Sequence, residues 1–454
     1  MEKTVKKYDA VVIGGGPAGM MAAVVMAEQG LDIIIADKNQ ILGRKLRITG
    51  KGRCNITNDC DPSEFTNKIV SGNKFLLSSF KKFSNRDLID YLNSAGLETV
   101  TERGGRVFPS SSRAYDVAEL FVRRLKELKV PVLFGYTADK LIIDDGAVRG
   151  VDGFVSGKKH MLYSDRVLLA SGGATYKGTG SDGSGYKLAI QAGHSVKAPL
   201  PSLIALKCLE KADCASMQGL TLKNTAIRLY EANKAVFEDF GELMFTDAGI
   251  TGPTVLSLSR FYISKASFAD KVFNDFDSLR PFLRFDQSLY STLNSDGRFR
   301  IELDLKPALD VNELDKRLCG DLGKYSAKLI KNALNDLLPS AMIVPVINRS
   351  GIDLYKHVSD ISKEERMRLV NAIKHFVLTP LGPDDPDHGI VTQGGVMLNE
   401  IDPSTLASKK CKGLYLAGEI IDADGLTGGY NLTVVFSTGR AAGNAISASI
   451  AEIS

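Results

Sequence analysis

The chain has 454 residues, of which 44% are hydrophobic, and its 57 Lys and Arg against 53 Asp and Glu leave a net charge of only +4. This length exceeds the size at which a single hydrophobic core stops growing, so we expect two or three domains. The cations are interleaved with acids rather than clustered, which argues against a nucleic-acid partner. The longest apolar runs fall short of the ~20 residues that span a bilayer, so no membrane span is predicted.

The first strand begins almost at the N-terminus, with no apolar leader segment ahead of it. We therefore expect a cytoplasmic protein. Six cysteines occur singly, and no C-x-x-C pair is present. This pattern favours reduced structural thiols over a redox dithiol, and no metal site is predicted.

The first element is an apolar strand, 8–13, that runs into a glycine turn. Gly14, Gly16 and Gly19 have the spacing G-x-G-x-x-G. In a dinucleotide-binding turn one glycine allows the sharp turn, one lets the backbone touch a pyrophosphate, and one permits tight packing of helix on strand. A helix that begins near Pro17 presents free amides and a positive dipole end to that pyrophosphate.

A second apolar run, 31–36, ends at Asp37. The carboxylate lies about twenty residues after the glycine turn, where an acid can grip a ribose hydroxyl. An ordinary tight turn is the alternative interpretation of the glycines alone. The order strand, turn, helix, strand and acid favours a dinucleotide site over that alternative.

The next segment, 43–58, is a polar, glycine-punctuated loop with five cations in sixteen residues. Such a loop can lay amides and guanidinium groups along a phosphate or beside a redox ring. A solvated surface loop is an equally good interpretation of this segment alone.

Helical and strand patterns then alternate. Residues 65–97 have the pattern of an amphipathic helix, 113–128 form a second helix, and 130–150 read as two strands joined at a hairpin. A buried strand, 166–170, runs into Ser171-Gly172-Gly173. This is a second strand that ends in glycines, and the carboxyl ends of parallel strands are where α/β sheets bind ligands.

The middle third differs in character. Residues 200–299 read as irregular β-structure made of short strands, among them 226–230, 235–237 and 242–245, with Pro201 and Thr251-Gly252-Pro253 as breaks between strands. Residues 311–381 read as helical, with a capping box at Ser362 to Glu365. The α/β pattern resumes near Gly389, so we interpret this third as an insertion.

The C-terminal segment repeats the strand–turn–helix order. A strand near 413–417 ends at Gly418-Glu419, and Asp422 follows. A glycine-rich turn, 425–431, then opens a final small-residue helix over about 432–450. Asp422 can hydrogen-bond a ribityl or phosphate-proximal hydroxyl, while the helix directs its N-terminal amides at the ligand. Both ends of the chain are therefore predicted to build one site.

These motifs resemble the BaiN-type flavoproteins, which are also described as the aminoacetone oxidase family of FAD-binding enzymes. The resemblance covers nearly the whole chain in the family's order. It rests on Gly14-Gly15-Gly16-Pro17-Ala18-Gly19, Gly43-Arg44-Lys45, Gly52-Arg53-Cys54-Asn55-Ile56-Thr57-Asn58, Gly105-Arg106-Val107-Phe108-Pro109, 180–186, 246–253, 392–396, 418–422 and Gly428-Gly429-Tyr430-Asn431.

The resemblance implies an α/β fold: a Rossmann-like FAD-binding domain of the glutathione-reductase type, interrupted by a mixed β-barrel-like and helical insert. The expected boundaries are 1–191 and 386–454 for the FAD-binding domain. The insert spans 192–385, β-rich over about 192–308 and helical over about 309–385, and is expected to cap the flavin.

The implied cofactor is noncovalent FAD. Most of its expected ligands lie in the motifs above and the remainder beside them. The predicted cofactor-binding residues are Gly14, Gly16, Pro17, Ala18, Gly19, Asp37, Lys38, Arg44, Lys45, Gly52, Arg53, Cys54, Asn55, Ala138, Ser171, Gly172, Gly173, Gly418, Glu419, Asp422, Gly428, Gly429, Tyr430, Asn431 and Leu432.

The implied reaction is hydride transfer through flavin N5, with NADH or NADPH visiting as a transient co-substrate, because only one dinucleotide turn is present. The first hypothesis is reduction of an activated C=C bond in an apolar enone such as a steroid or bile acid. Oxidation of a small amine such as aminoacetone is the alternative, and a non-catalytic flavoprotein sensor is a second alternative. Candidate catalytic residues are Tyr430 and Tyr176, which can donate a proton, and Arg106, which with Arg53 can polarise a carbonyl.

Overall fold

The computed structural model describes residues 6–452. Two compact units divide them: the first unit comprises 6–202, 267–285 and 387–452, and the second unit comprises 203–266 and 286–386.

The helices and strands are given in chain order. Up to residue 202, in the first unit, they are β1 (Ala10–Ile13), α1 (Pro17–Glu28), β2 (Ile33–Asp37), β3 (Thr57–Asn58), α2 (Pro62–Asn67), β4 (Ile69–Ser71), α3 (Asn73–Lys82), α4 (Asn85–Ser94), β5 (Thr99–Glu102), β6 (Arg106–Pro109), α5 (Ala114–Glu127), β7 (Val132–Phe134), β8 (Tyr136–Asp144), β9 (Ala147–Val155), β10 (Lys158–Tyr163), β11 (Val167–Leu169), α6 (Ser184–Gln191) and β12 (Val196–Ser202).

The remaining elements alternate between the units. The second unit contributes β13 (Leu206–Cys208), α7 (Lys211–Ser216), β14 (Thr221–Glu231), β15 (Lys234–Phe245), β16 (Gly249–Thr251) and α8 (Pro253–Ile263), and the first unit then contributes β17 (Val272–Phe273) and α9 (Phe276–Leu279). The second unit continues with β18 (Phe299–Asp304), α10 (Val311–Lys324), α11 (Ser340–Ser350), α12 (Lys363–Lys374), β19 (Phe376–Leu378) and β20 (Pro380–Pro383). The first unit ends with β21 (Val391–Val396), β22 (Leu414–Leu416), β23 (Asp424–Gly425) and α13 (Tyr430–Ala451).

A five-stranded parallel sheet forms the centre of the first unit, in the order β22-β11-β1-β2-β7. Its inner strands are runs of Val, Ile, Leu and Ala, ended in β2 by Asp37, and all of their residues are buried, as expected for a sheet covered on both faces. Strands β2 and β7 lie on one side of β1, and β11 and β22 lie on the other. The strand order therefore reverses between β1 and β11, and their carboxyl ends form the topological switch point. The predicted α/β fold is confirmed.

Helices α1 and α13 pack directly on one another. A Cβ atom on Gly439 would overlap the carbonyl oxygen of Ala18, so only glycine allows the two backbones this close. The predicted final helix is confirmed, and it begins two residues earlier than expected. Across residues 6–452 no helix combines the length and the apolar character needed to cross a bilayer.

The second unit is built on a seven-stranded antiparallel sheet, in the order β19-β18-β14-β15-β16-β13-β20. The short strands predicted near 226–230, 235–237 and 242–245 are parts of one long hairpin, β14–β15. Helix α8 was not predicted, because Gly252 and Pro253 read as a turn although they begin the helix.

Two predicted helical segments are wrong in extent. The 65–97 pattern is broken into α2, α3 and α4, because Gly72 adopts a left-handed conformation and Ser84 starts a new helix with a capping box. The helical prediction for 311–381 fails after Lys374, where β19 pairs with β18.

The unit boundaries also differ from the predicted insert of 192–385. Strand β12 pairs with β21 and β17, which places 196–202 and 267–285 in the first unit rather than in the insert.

Candidate functional site

The glycine turn between β1 and α1 lies at the switch point of the parallel sheet. Gly14 has φ +104° and a Cβ there would overlap the Ala170 carbonyl oxygen, while a Cβ on Gly19 would overlap that of Gly14. Two of the three motif glycines are therefore required by the turn itself, through conformation and close packing.

The third, Gly16, is different because its Cβ position faces open space, with no atom within 4 Å. The backbone N–H groups of Gly16, Ala18 and Gly19 donate to no acceptor among the residues the structure describes. Unpaired amides at a helix N-terminus, beside open space, form the cradle that a pyrophosphate needs. The residues present fit a bound dinucleotide.

Asp37, at the carboxyl end of β2, is only 7% exposed. Its Oδ2 accepts the Gly15 N–H at 2.6 Å and its Oδ1 accepts the Asn39 N–H at 2.7 Å. The carboxylate thus stabilises the glycine turn, and it has further lone pairs for a ribose hydroxyl.

A partly buried polar cluster joins four segments at the same edge of the sheet. Lys45 Nζ lies 3.0 Å and 3.1 Å from the two carboxylate oxygens of Glu419, and 3.2 Å from Thr175 Oγ1. The Thr392 N–H donates to Glu419 Oε1 at 2.8 Å. Thr175 and Thr392 were not predicted as site residues, although Thr392 begins one of the motifs that carry the resemblance.

Two further predicted cations lie near the loop after β2. Lys38 Nζ donates to Asp182 Oδ1 at 2.6 Å, and Arg44 donates to Asn39 Oδ1 at 3.2 Å. Burial opposes ionisation of Asp182, but the Lys38 cation and hydrogen bonds from Ser184 outweigh it and lower the pKa of that carboxyl. Lys38 is therefore held by a carboxylate, whereas Arg44 is exposed.

The loop that carries Gly52, Arg53, Cys54 and Asn55 is tied to the N-terminus of α13. The Asn55 side-chain nitrogen donates to the Thr57 carbonyl at 3.0 Å, and its oxygen accepts the Gly429 N–H at 3.1 Å. Cys54 is fully buried, and burial raises the pKa of its thiol to about 12. The structure therefore brings this loop and the Gly428-Gly429 turn together.

Near that turn, Tyr430 is 6% exposed, its ring centroid lies 4.9 Å from that of Phe65, and its hydroxyl bonds the Cys60 thiol. Asn431 closes the turn by accepting the Gly425 N–H and donating to the Gly425 carbonyl, both at 2.8 Å. Leu432 is half-buried in the first turn of α13. These contacts favour a packing role for Tyr430.

Asp422 lies beside β4, where Ser71 Oγ donates to its Oδ1 at 3.2 Å. Ser171 follows β11, and its buried Oγ has no partner within residues 6–452. Gly172 has φ +79°, and Gly173 packs against Thr392. Ser171, Gly172 and Gly173 thus follow the carboxyl end of β11, and Asp422 follows β22 in the chain.

The other candidates lie further out. Ala138 lies in β8 opposite Gly153, in a separate sheet, and no hydrogen bond of the described residues links it to the glycine turn. The Tyr176 ring centroid lies 5.4 Å from that of His388. Arg106 donates from Nε to the Arg103 carbonyl at 3.2 Å.

The sheet order, the glycine turn and the unpaired amides define a dinucleotide-binding α/β protein. The chain matches the family described as HI0933-like protein Rossmann domain over residues 8–445, and it belongs to this family.

Two relatives match almost the whole chain. The 3-dehydro-bile acid delta(4,6)-reductase of Clostridium scindens is 30% identical over 438 residues, covering 96% of this chain and 98% of that protein. The ribosomal RNA dihydrouridine synthase of Haemophilus influenzae is 26% identical over 441 residues, with coverage of 96% and 98%.

Solved structures show the same fold at low identity. The 3-ketosteroid delta1-dehydrogenase of Sterolibacterium denitrificans has a TM-score of 0.50 and 14% identity, covering 98% of this chain and 100% of that one. Quinol fumarate reductase of E. coli has a TM-score of 0.51 and 15% identity, with coverage of 99% and 71%. Family and relatives together show that the protein is a flavin-dependent oxidoreductase.

Proposed function

We propose that this protein is an FAD-dependent reductase of a carbon–carbon double bond conjugated to a carbonyl, with NADH or NADPH as hydride source. The observation that carries the proposal is the end-to-end match to the Clostridium scindens bile-acid reductase. The name of the Haemophilus influenzae relative likewise describes a product with hydrogen added across a double bond. The bound flavin supplies hydride transfer to that bond.

The cofactor is proposed to be FAD rather than FMN because the glycine turn serves the adenosine half. The unpaired amides of Gly16, Ala18 and Gly19 would hold the pyrophosphate, and Asp37 would accept a ribose hydroxyl. The ion pair between Lys45 and Glu419 would hold the loop after β2 and the loop after β22 in one conformation in the adjoining part of the site.

The substrate is proposed to be a small, largely apolar enone, and a side chain of this enzyme is proposed to deliver the accompanying proton. Tyr430 is a poor donor because its hydroxyl is engaged by Cys60 and its ring by Phe65. Tyr176, which is half-buried, is the better candidate.

The test uses the purified holoenzyme without oxygen. We expect NADH or NADPH to bleach the flavin absorbance, and a steroid enone to restore it faster than the matched saturated ketone does. Bleaching by a small amine without nicotinamide, with reoxidation by oxygen alone, would instead establish an amine oxidase. A flavin that no reductant or substrate changes would establish a sensor.

Reduction of a uracil ring in RNA is a second candidate, supported by end-to-end matches to two dihydrouridine synthases at 26% and 25% identity. A ribosomal RNA fragment belongs in the same reoxidation assay for this reason. Reoxidation by RNA but not by the steroid enone would favour this candidate and overturn the expectation that no nucleic acid is bound.

A further inference from the structure

Two arginines share one aromatic ring in the first unit. The guanidinium carbon of Arg53 lies 4.4 Å from the ring centroid of Phe108, and that of Arg106 lies 6.0 Å from the same centroid. Phe108 is 5% exposed, whereas Arg53 is exposed and Arg106 half-buried. A guanidinium packed on a ring is held by its face, which leaves its edge N–H groups for an acceptor.

The small sheet β3-β6-β5 places this pair beside the candidate flavin site. Asn58 is paired with Arg106 across β3 and β6. The Asn58 side-chain amide also donates to the carbonyls of Gly104 and Gly428, at 2.9 Å and 3.3 Å. The arginine pair is therefore fixed against the turn that opens α13.

The charge around the pair is unbalanced. Arg53 is bonded to Glu102. Arg106 has no carboxylate within 4 Å among residues 6–452. The same holds for Arg103, three positions before Arg106, and for Lys51, two positions before Arg53. The guanidinium N–H groups of Arg106 other than Nε, which donates to the Arg103 carbonyl, are therefore available to an anion.

We propose that Arg53 and Arg106 bind an oxyanion on the substrate, a carboxylate or a phosphate, so that the enzyme selects an anionic enone. This inference rests on the proposed function and specifies its substrate class. Guanidinium groups recognise carboxylate and phosphate through paired N–H donors with defined geometry. If the two arginines instead polarised a neutral carbonyl, the enzyme would not distinguish charged from uncharged substrates. Substrate charge therefore separates oxyanion binding from carbonyl polarisation.

The experiment compares a steroid enone that carries a carboxylate side chain with its methyl ester. We expect the wild-type enzyme to favour the acid by at least about tenfold in kcat/KM, mostly through KM, and the preference to shrink as salt is added. Arg106→Gln should lower kcat/KM for the acid far more than for the ester and so bring the ratio close to one. Arg113→Gln is the matched control, because it removes a nearby exposed charge already paired with Asp116 and should retain the preference.

A steroid enone phosphate ester, compared with its parent alcohol, identifies which oxyanion is preferred. Equal kcat/KM for acid and ester in the wild type, or a preference that survives Arg106→Gln, would overturn the inference and leave the reductase proposal standing. If neither steroid is reduced, the proposed function fails, and calorimetric titration of the oxidised holoenzyme still decides anion binding. That titration must show the acid binding more tightly than the ester, and Arg106→Gln must abolish the difference; equal binding overturns the inference.

Discussion

The Oδ2 atom of Asp37 lies 2.6 Å from the backbone nitrogen of Gly15, so the acid that ends β2 is bonded to the glycine turn itself. The other oxygen accepts the Asn39 N–H at 2.7 Å. One carboxylate therefore connects the loop after β2 to the turn after β1. We expect it to contribute to cofactor affinity in two ways, through the shape of the turn and through a bond to ribose.

Two replacements of Asp37 test this contribution. Asp37→Ala loses both and should weaken FAD binding by at least about tenfold, because a hydrogen bond to a charged group is worth about 1.5–3 kcal/mol. Asp37→Asn keeps one acceptor oxygen and should lose less. Fluorescence titration of apoprotein with FAD measures both dissociation constants, and an unchanged constant for Asp37→Ala would show that the carboxylate does not contact the cofactor.

A side chain at Gly16 should exclude the cofactor without unfolding the protein. The residue has φ −75° and ψ −178°, which valine can adopt, and its Cβ would meet no protein atom. Gly16→Val should therefore give a folded, colourless protein. Gly320→Val, in the exposed middle of α10 with equally open space, is the control and should stay yellow. Full flavin content in Gly16→Val, by absorbance after purification, would contradict the pyrophosphate assignment.

Cys54 should behave as a packing residue. Its buried thiol has a pKa raised to about 12 and stays protonated at neutral pH, so it should react slowly with thiol reagents. Exposed Cys319 should react first, and Cys319→Ser should remove that fast phase. Cys54→Ser should keep most turnover. Rapid labelling of Cys54, or loss of a charge-transfer band together with activity in Cys54→Ser, would assign it a redox role.

His194 should make the fold sensitive to acid. The ring is 1% exposed, with Nε2 2.7 Å from Ser408 Oγ and Nδ1 3.2 Å from Glu400 Oε2. Burial lowers its pKa, and the opposing attraction of Glu400 does not reverse the shift. Because the unfolded chain takes up a proton at about pH 6.5, before the folded chain does, the stability present above that pH is lost as pH falls below it.

The thermal midpoint between about pH 7.5 and about pH 5.5 measures this effect. The wild type should lose more stability over this range than His194→Asn does. His160→Asn changes an exposed histidine and should follow the wild type. Identical pH profiles for wild type and His194→Asn would show that His194 does not contribute.

The sequence predicted elements whose signals are local. The glycine spacing, the apolar strands and the small-residue helix each lie within about thirty residues, and the structure has all three. Strand β19 was missed because its apolar residues continue the helical pattern of α12, and only pairing with β18, over seventy residues earlier, identifies it as a strand. Helix α8 was missed because Gly-Pro signals both a turn and a helix start.

The polar cluster of the site shows the same limit. Lys45 and Glu419 are 374 positions apart, and Thr392 reaches Glu419 through its backbone N–H, which no side-chain pattern encodes. The Phe108 ring between Arg53 and Arg106 likewise depends on the register of β3 and β6. The sequence identified the loops that carry these residues, whereas their partners depend on tertiary packing.

The contact between Ala18 and Gly439 has a consequence for the protein's synthesis. About 420 residues separate the two, so at 5–20 residues per second a ribosome needs about 20–85 s to supply the second helix after the first has emerged. Until then α1 has an uncovered apolar surface, of the kind that chaperones bind on incomplete chains. We therefore expect the complete cofactor site to form only after α13 has been synthesised.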